Sequence, residues 1–266
     1  QAVGGGEELT GAVLKLTAPA GTDLSKVKGF YSDGSTAGIE TSGNTITWTS
    51  DNAKGGVTLA NLPAGVYTLE ETTAPDGFTK KTEEMNFEVG ADGKVGTVNG
   101  LTKDDNKVVM EDAASKLTIG KKDITGQEEV AGATLTLTNE NLTAEQWDAV
   151  IAANTDLTAV GNGVQWTSGD AAKEIVGLPD GTYTLQETGN EFTANGKTYL
   201  VVTDTLTFTL EKGKVTNVTG AKDTFGSKTD DGYFYYNGDS DTNQNYIAVC
   251  DAEKRVIAIN KEALDG

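Results

Sequence analysis

Three residues stand where strands of this chain should carry apolar side chains. In YTLQET (183–188), Tyr183, Leu185 and Glu187 share one parity, and side chains of one parity share one face of a strand. The same reading of SKLTIGKKD (115–123) puts Lys121 in line with Leu117 and Ile119. In RVIAINKE (255–262) it puts Asn260 in line with Val256 and Ala258. A lone buried lysine or glutamate is strongly unfavourable or changes its protonation, so burying the set together is the lower-energy arrangement. A dry core favours the neutral forms of an amine and of a carboxylic acid. A neutral amine is a nucleophile, and the amide carbon of Asn260 becomes an electrophile once an acid hydrogen-bonds its oxygen. Lys121 as amine, Asn260 as acceptor and Glu187 as proton-moving acid would make a Lys–Asn isopeptide bond and release ammonia.

The inward carboxylate recurs. In YTLEET (67–72), Glu71 follows Tyr67 and Leu69 in parity, and aligning VVMED (108–112) with VIAIN (256–260) puts Asp112 at the acceptor position, where an aspartate would lose water. The amine is not in view. Counted back from Gly11 as Lys121 is from Gly132, its place falls immediately before Gln1, so the first strand reads as truncated. Lys15 is the nearest lysine, but it points away from the Leu14 and Leu16 face. Three readings stay open: the lysine lies outside this sequence, another segment supplies it, or the first domain has no bond.

The elements that must position these residues are strands. Threonine-rich alternating runs such as TLTLTN and TDTLTFTL, abundant glycine and few aromatics have the composition of β-sheet. WTSDNAKGGVTLANLPAGVYTLEET (48–72) lies over WTSGDAAKEIVGLPDGTYTLQET (166–188). GAVLKLT (11–17) matches GATLTLT (132–138), and EMNFEVGADGKVGTV (84–98) matches TLTFTLEKGKVTNV (205–218). A repeat this long indicates two tandem β-sandwich domains, 1–114 and 115–266. One helix is expected, over NLTAEQWDAVIAAN, where Thr143 and Gln146 have capping-box spacing and Leu142, Trp147, Val150 and Ile151 form a stripe. DLSKVKGFY is the weaker match in the first copy.

Composition excludes much else. The net charge of −19, from 40 acidic and 21 basic residues, argues against nucleic acid and anionic membrane as partners. Histidine is absent and Cys250 is the only cysteine, which removes histidine-based catalysis, Cys/His zinc sites and an intramolecular disulfide. No apolar run is long enough to span a membrane and no signal-peptide pattern opens the chain, which reads as a mature fragment or an excised piece. LPAGV (62–66) and LPDGT (178–182) have the lettering of sortase signals, but each directly precedes a strand and reads as a turn.

KKDITGQEEVAGATLTL resembles the opening of a collagen-adhesin B-type (Cna-B, or SpaA-like) domain, with its lysine in a K-x-D context before a GA-x-hydrophobic strand. YTLEETTAPDGF is similar to the family's E-box, Y-x-L-x-E-T-x-A-P-x-G-Y, with phenylalanine for the last tyrosine; INK at Ile259 resembles the closing strand. The second E-box departs after Thr188 into GNEFTANGKTY. The resemblance implies all-β, transthyretin/Ig-like sandwiches from a Gram-positive surface protein or pilin, outside the cell and wall-anchored or pilus-associated. It implies neighbouring pilus or surface-protein domains as partners, no cofactor, and no enzymatic activity beyond autocatalytic self-crosslinking. On that pattern Lys121 is the amine, Asn260 the acceptor and Glu187 the acid.

The second copy carries an extra segment, about 221–253, in which Asp231-Gly232 and Asn237-Gly238 are hairpin-turn signals and Tyr233, Phe234, Tyr235 and Tyr236 concentrate aromatics. Two readings follow. The rings are a contact surface for a host glycan or extracellular-matrix protein, making the chain an adhesin tip, or they pack inward on extra strands. Asp239, Asp241 and Asn243 open like a calcium loop, but Gln244 and Cys250 occupy the places of its glycine and bidentate glutamate, so no metal site is expected. Cys250, in the apolar run IAVC, reads as a packed thiol.

Overall fold

The computed structural model describes residues 1–3, 5, 8–227, 229–238, 245–255 and 259. The chain divides into two compact units. One comprises Gln1–Lys116 with Val176–Asp180 and Glu211–Gly213; the other comprises Leu117–Ile175, Gly181–Leu210 and Lys214–Gly266.

Each unit is built on a six-stranded sheet of the same order. In the first it runs Glu40–Ser42, Thr45–Thr49, Val13–Thr17, Gly65–Thr73, Met85–Val89, Val95–Asn99. In the second it runs Thr158–Val160, Gly163–Thr167, Thr134–Thr138, Gly181–Thr188, Thr205–Glu211, Lys214–Thr219. Alternation decides which side chains face inward. Tyr67, Leu69 and Glu71 are buried, as are Tyr183, Leu185 and Glu187, while the even-numbered residues between them are more exposed. The aromatic pairing repeats too, with Tyr67 stacked on Phe87 at 5.7 Å and Tyr183 on Phe208 at 5.5 Å.

The helix, Ala144–Ala153, starts as its sequence predicts. The Thr143 hydroxyl accepts from the Gln146 amide, and the Gln146 side chain accepts from the Thr143 amide. Trp147 and Val150 are its buried residues, and Trp147 meets the Tyr183 ring edge-on at 6.3 Å. In the first unit DLSKVKGFY makes no helix. Asp23 Oδ1 instead accepts from the Ser25 amide at 2.9 Å, a local turn that competes with helix initiation, and the strand Lys28–Tyr31 follows at once.

The second unit's other sheet orders Lys173–Val176, Lys116–Asp123, Tyr246–Asp251, Gly232–Tyr236, Ala221–Lys222. Lys116–Asp123 pairs in parallel with Tyr246–Asp251. The segment 221–253 is therefore not an appendage, because it supplies the strand beside the lysine strand. Its aromatics do not form an exposed contact surface. Tyr233 and Tyr235 pack with Ala248, Cys250 and Phe225, Phe234 is 0% exposed on the opposite face, and half-buried Tyr236 donates its hydroxyl to Val215 O at 3.0 Å. Nor is Asp231-Gly232 a hairpin turn. The Asp231 carboxylate accepts from the Thr203 amide and hydroxyl, and Gly232 begins a strand so close to the Cys250 carbonyl that a Cβ would collide with it. Asp239, Asp241 and Asn243 lie outside the described residues. Cys250 is a buried thiol whose pKa burial pushes up to about 12.

GNEFTANGKTY folds as a hairpin of Phe192–Ala194 with Lys197–Tyr199. Asn195 and Gly196, with φ of 51° and 75°, give the left-handed two-residue turn that such hairpins favour.

Candidate functional site

Lys121 and Glu187 come together in the second unit, as their parity requires. Lys121 is 2% exposed, Glu187 5%, and Lys121 Nζ lies 3.5 Å from Glu187 Oε1. The third partner is a residue that the strand pattern did not single out. Asp251, 0% exposed, ends the strand parallel to that of Lys121, and its Oδ2 is in direct contact with Lys121 Nζ. Asn260 lies outside the described residues, and among those described the carboxyl in direct contact with Lys121 Nζ is that of Asp251.

Each member is held by its own element. The Lys121 amide donates to Glu129 Oε2 at 3.0 Å and its carbonyl accepts from the Val130 amide at 2.7 Å. Two residues on, Asp123 Oδ1 accepts from the Gln127 and Glu128 amides, so the aspartate of the K-x-D pattern fixes the turn that closes the lysine strand. Glu187 Oε2 accepts from the Val202 amide at 2.9 Å, which leaves Oε1 turned to the lysine. The Phe192 ring, on the Phe192–Tyr199 hairpin, sits with its centroid 5.6 Å from Lys121 Nζ and stacks on Tyr199.

The electrostatics favour one protonation state. Burial pushes the Asp251 carboxyl up to about 8, with the Lys121 ammonium opposing and the Glu187 carboxylate reinforcing. At neutral pH Asp251 is then mostly the uncharged acid, whose carbonyl carbon an amine can attack; a carboxylate would repel it. The arrangement can form an amide between Lys121 Nζ and Asp251 Cγ. Glu187 is placed to take the proton from nitrogen and return it to the departing hydroxyl as water.

In the first unit Glu71 and Asp112 are also buried, at 0% and 4% exposure. Glu71 Oε2 accepts from the Lys81 amide at 2.8 Å, the counterpart of the Val202 bond. The loops that deliver these amides differ: a Pro75–Phe78 turn in the first unit, the Phe192–Tyr199 hairpin in the second. Burial, opposed by the Lys81 amide and assisted by Asp112, raises Glu71 to about 7. Burial also raises Asp112, against the attraction of the N-terminal amine and Lys81. Lys15 is not their partner. It pairs with Glu70 Oε2 at 3.3 Å on the exposed face.

Asp251, Phe192 and Tyr199 were missed from sequence. A signal for Asp251 existed, since IAVCD (247–251) aligns with VVMED (108–112) and sets Asp251 on Asp112.

The profile of the SpaA family, described as a prealbumin-like fold domain, matches residues 2–104 and again 115–224. No curated protein matches the chain. Among solved structures, a C-terminal fragment of the pilus adhesin SpaC from Lactobacillus rhamnosus GG is 18% identical, with 94% of this chain and 92% of that one covered and a TM-score of 0.42. The pilus adhesin RrgA from Streptococcus pneumoniae is 13% identical over 94% of this chain and 33% of its own, with a TM-score of 0.35. BcpA, the major pilin subunit of Bacillus cereus, is 13% identical over 93% and 60%, with a TM-score of 0.29.

Proposed function

Since the chain belongs to the SpaA family of prealbumin-like fold domains, matched in two copies, we propose that it is a non-enzymatic structural module of a Gram-positive cell-surface protein or pilus. Its second domain crosslinks itself through a Lys121–Asp251 isopeptide bond, with Glu187 as the proton-moving acid. The observation that carries the reading is the meeting of a lysine amine and two carboxyl groups in a core that almost no solvent reaches.

The bond joins the first strand of the domain to the strand beside it, across more than a hundred residues of chain. By loop entropy such a closure is worth on the order of 4–5 kcal/mol. Its mechanical effect is larger, because load entering at one end of the domain passes through a covalent link and cannot peel the sheets apart. In an extracellular stalk whose only cysteine is buried, the crosslink takes the place a disulfide would have. The neighbours of such a module are other domains or subunits of the same surface structure.

The adhesin-tip reading, with Tyr233 to Tyr236 meeting a glycan or matrix protein, has no support from their burial. Intact-mass measurement tests the crosslink. The chain should weigh about 18 Da less than its Lys121→Met variant after correction for the substitution, as one water leaves on amide formation. Referring one to the other cancels ammonia lost by cyclisation of Gln1, which both proteins share. Equal corrected masses would refute the bond, and Glu187→Gln should restore the full mass.

A further inference from the structure

The six-stranded sheet of each domain has two edges, and the chain treats them differently. One edge is a strand of three residues, Glu40–Ser42 or Thr158–Val160, too short to offer a partner much of a ladder. The other, Val95–Asn99 or Lys214–Thr219, is five or six residues long, and the outer backbone groups of such a strand are a template for a further one. Val95 and Val215 are matching residues of GKVGTV (93–98) and GKVTNV (213–218), and side chains take both backbone groups of each. The Val95 amide donates to Asn106 Oδ1 at 2.6 Å, and its carbonyl accepts from Lys103 Nζ at 2.5 Å, which also reaches Gly96 O at 3.2 Å. The Val215 amide donates to Asn245 Oδ1 at 2.9 Å, and its carbonyl accepts from the Tyr236 hydroxyl at 3.0 Å. The asparagine recurs, but the donor is a lysine in one domain and a tyrosine in the other, and the segments that carry them are unlike. Lys103 and Asn106 belong to the hairpin of Thr102–Asp104 with Lys107–Val109, whereas the Asn245 carbonyl accepts from the Thr118 amide of the lysine strand at 2.8 Å. The same two groups are covered by different means, so the requirement lies at the edge and not in the loop. A bulge adds to it in the first domain, where Phe87 pairs with Val98 but Val89 with Val95, giving the edge strand one extra residue.

We propose that Asn106 with Lys103, and Asn245 with Tyr236, are edge clasps that keep each six-stranded sheet from pairing with the same edge of a second copy of the chain. A strand added in antiparallel fashion exchanges hydrogen bonds with the N–H and C=O of one residue, and these are the two groups that each clasp takes. An edge offers donors and acceptors alike, so it is self-complementary about a two-fold axis, and the occupant that the clasp excludes is another copy. The inference is independent of the crosslink, since no member of either clasp belongs to the Lys121, Glu187 and Asp251 set.

Sedimentation velocity over a range of concentrations, on the full chain, provides the test. Lys103→Met and Asn106→Ala together open the first edge, and both positions are exposed, so the fold should persist, as circular dichroism checks. The double variant should associate with itself on the order of tenfold more tightly than the parent chain, the worth of one or two strand hydrogen bonds. Its Val95–Asn99 amides should gain protection from hydrogen exchange as concentration rises. Each single variant should show a smaller gain, and Lys103→Arg with Asn106→Asp, which keep a donor and an acceptor, should behave as the parent does. Tyr236→Phe with Asn245→Ala should open the second edge, with protection gained along Lys214–Thr219. Folded variants that associate no more tightly than the parent would overturn the proposal. So would association without added protection along the opened edge, or equal association by the Lys103→Arg/Asn106→Asp protein.

Discussion

The two domains share a buried glutamate, a backbone hydrogen bond to it and a buried aspartate, and differ, among the described residues, in whether a lysine lies against them. In both, the strand that carries the buried tyrosine carries a buried glutamate four residues on, and in both its Oε2 is fixed by a backbone amide from the loop that follows. In the second domain the free oxygen faces Lys121. In the first, burial with the neighbouring Asp112 raises Glu71 to about 7, and burial raises Asp112 as well. The comparison teaches that the glutamate is not placed by the lysine. Its position follows from strand parity and the returning amide, and the lysine adds a cation beside an acid that is buried in either domain.

The largest expected effect erases the difference between the domains. Lys121→Met should leave Glu187 and Asp251 as an unrelieved acidic pair, abolish the mass deficit and destabilise the second domain by on the order of 5 kcal/mol in chemical unfolding. Unchanged stability would mean that no crosslink contributes. Glu187→Gln keeps the shape and the lysine, so it should lose only the bond, about 4 kcal/mol by loop entropy, and its melting should approach that of the first domain.

The first domain can be distinguished by pH. Glu71 has a folded pKa of about 7, above its ordinary value of 4.5, so the folded state holds a proton that the unfolded chain has given up across that interval. Stability from this group is present at the acidic end and falls as pH rises through the window from 4.5 to about 7, by on the order of 2–3 kcal/mol. Urea unfolding of the first domain at pH 5 and pH 8 should show that loss, and Glu71→Gln should flatten it; a stability that rises with pH would contradict the assignment. The smallest effect concerns Phe192, whose ring lies near Lys121 Nζ. Phe192→Ala should slow bond formation several-fold in freshly refolded protein and cost about 1–2 kcal/mol, while the final mass deficit is retained.

Much of this was legible in the sequence. The duplication, the capped helix, and the inward placement of Lys121, Glu187 and Glu71 all follow from parity and spacing, because a strand with one buried face leaves no other choice. The aspartate against Lys121 was harder to see for a physical reason. Asp251 closes the run YIAVC, where a terminal aspartate looks like a strand leaving the core, while RVIAIN offered the same ending with an amide. The run Tyr233–Tyr236 misled differently. Its strand is buried on both faces, Phe234 on one and Tyr233 with Tyr235 on the other, so no alternation marked it as interior. GNEFTANGKTY lost the lettering of the first copy's loop, yet the chain just after it still brings an amide, that of Val202, to Glu187.

The most direct measurement is peptide mapping of the digested, unfolded protein by tandem mass spectrometry. A branched peptide joining Lys121 to Asp251, lighter than its two parts by about 18 Da, is the predicted result. Recovery of both as separate linear peptides, or a branch from Lys121 to Asn260 with loss of about 17 Da, would contradict the account.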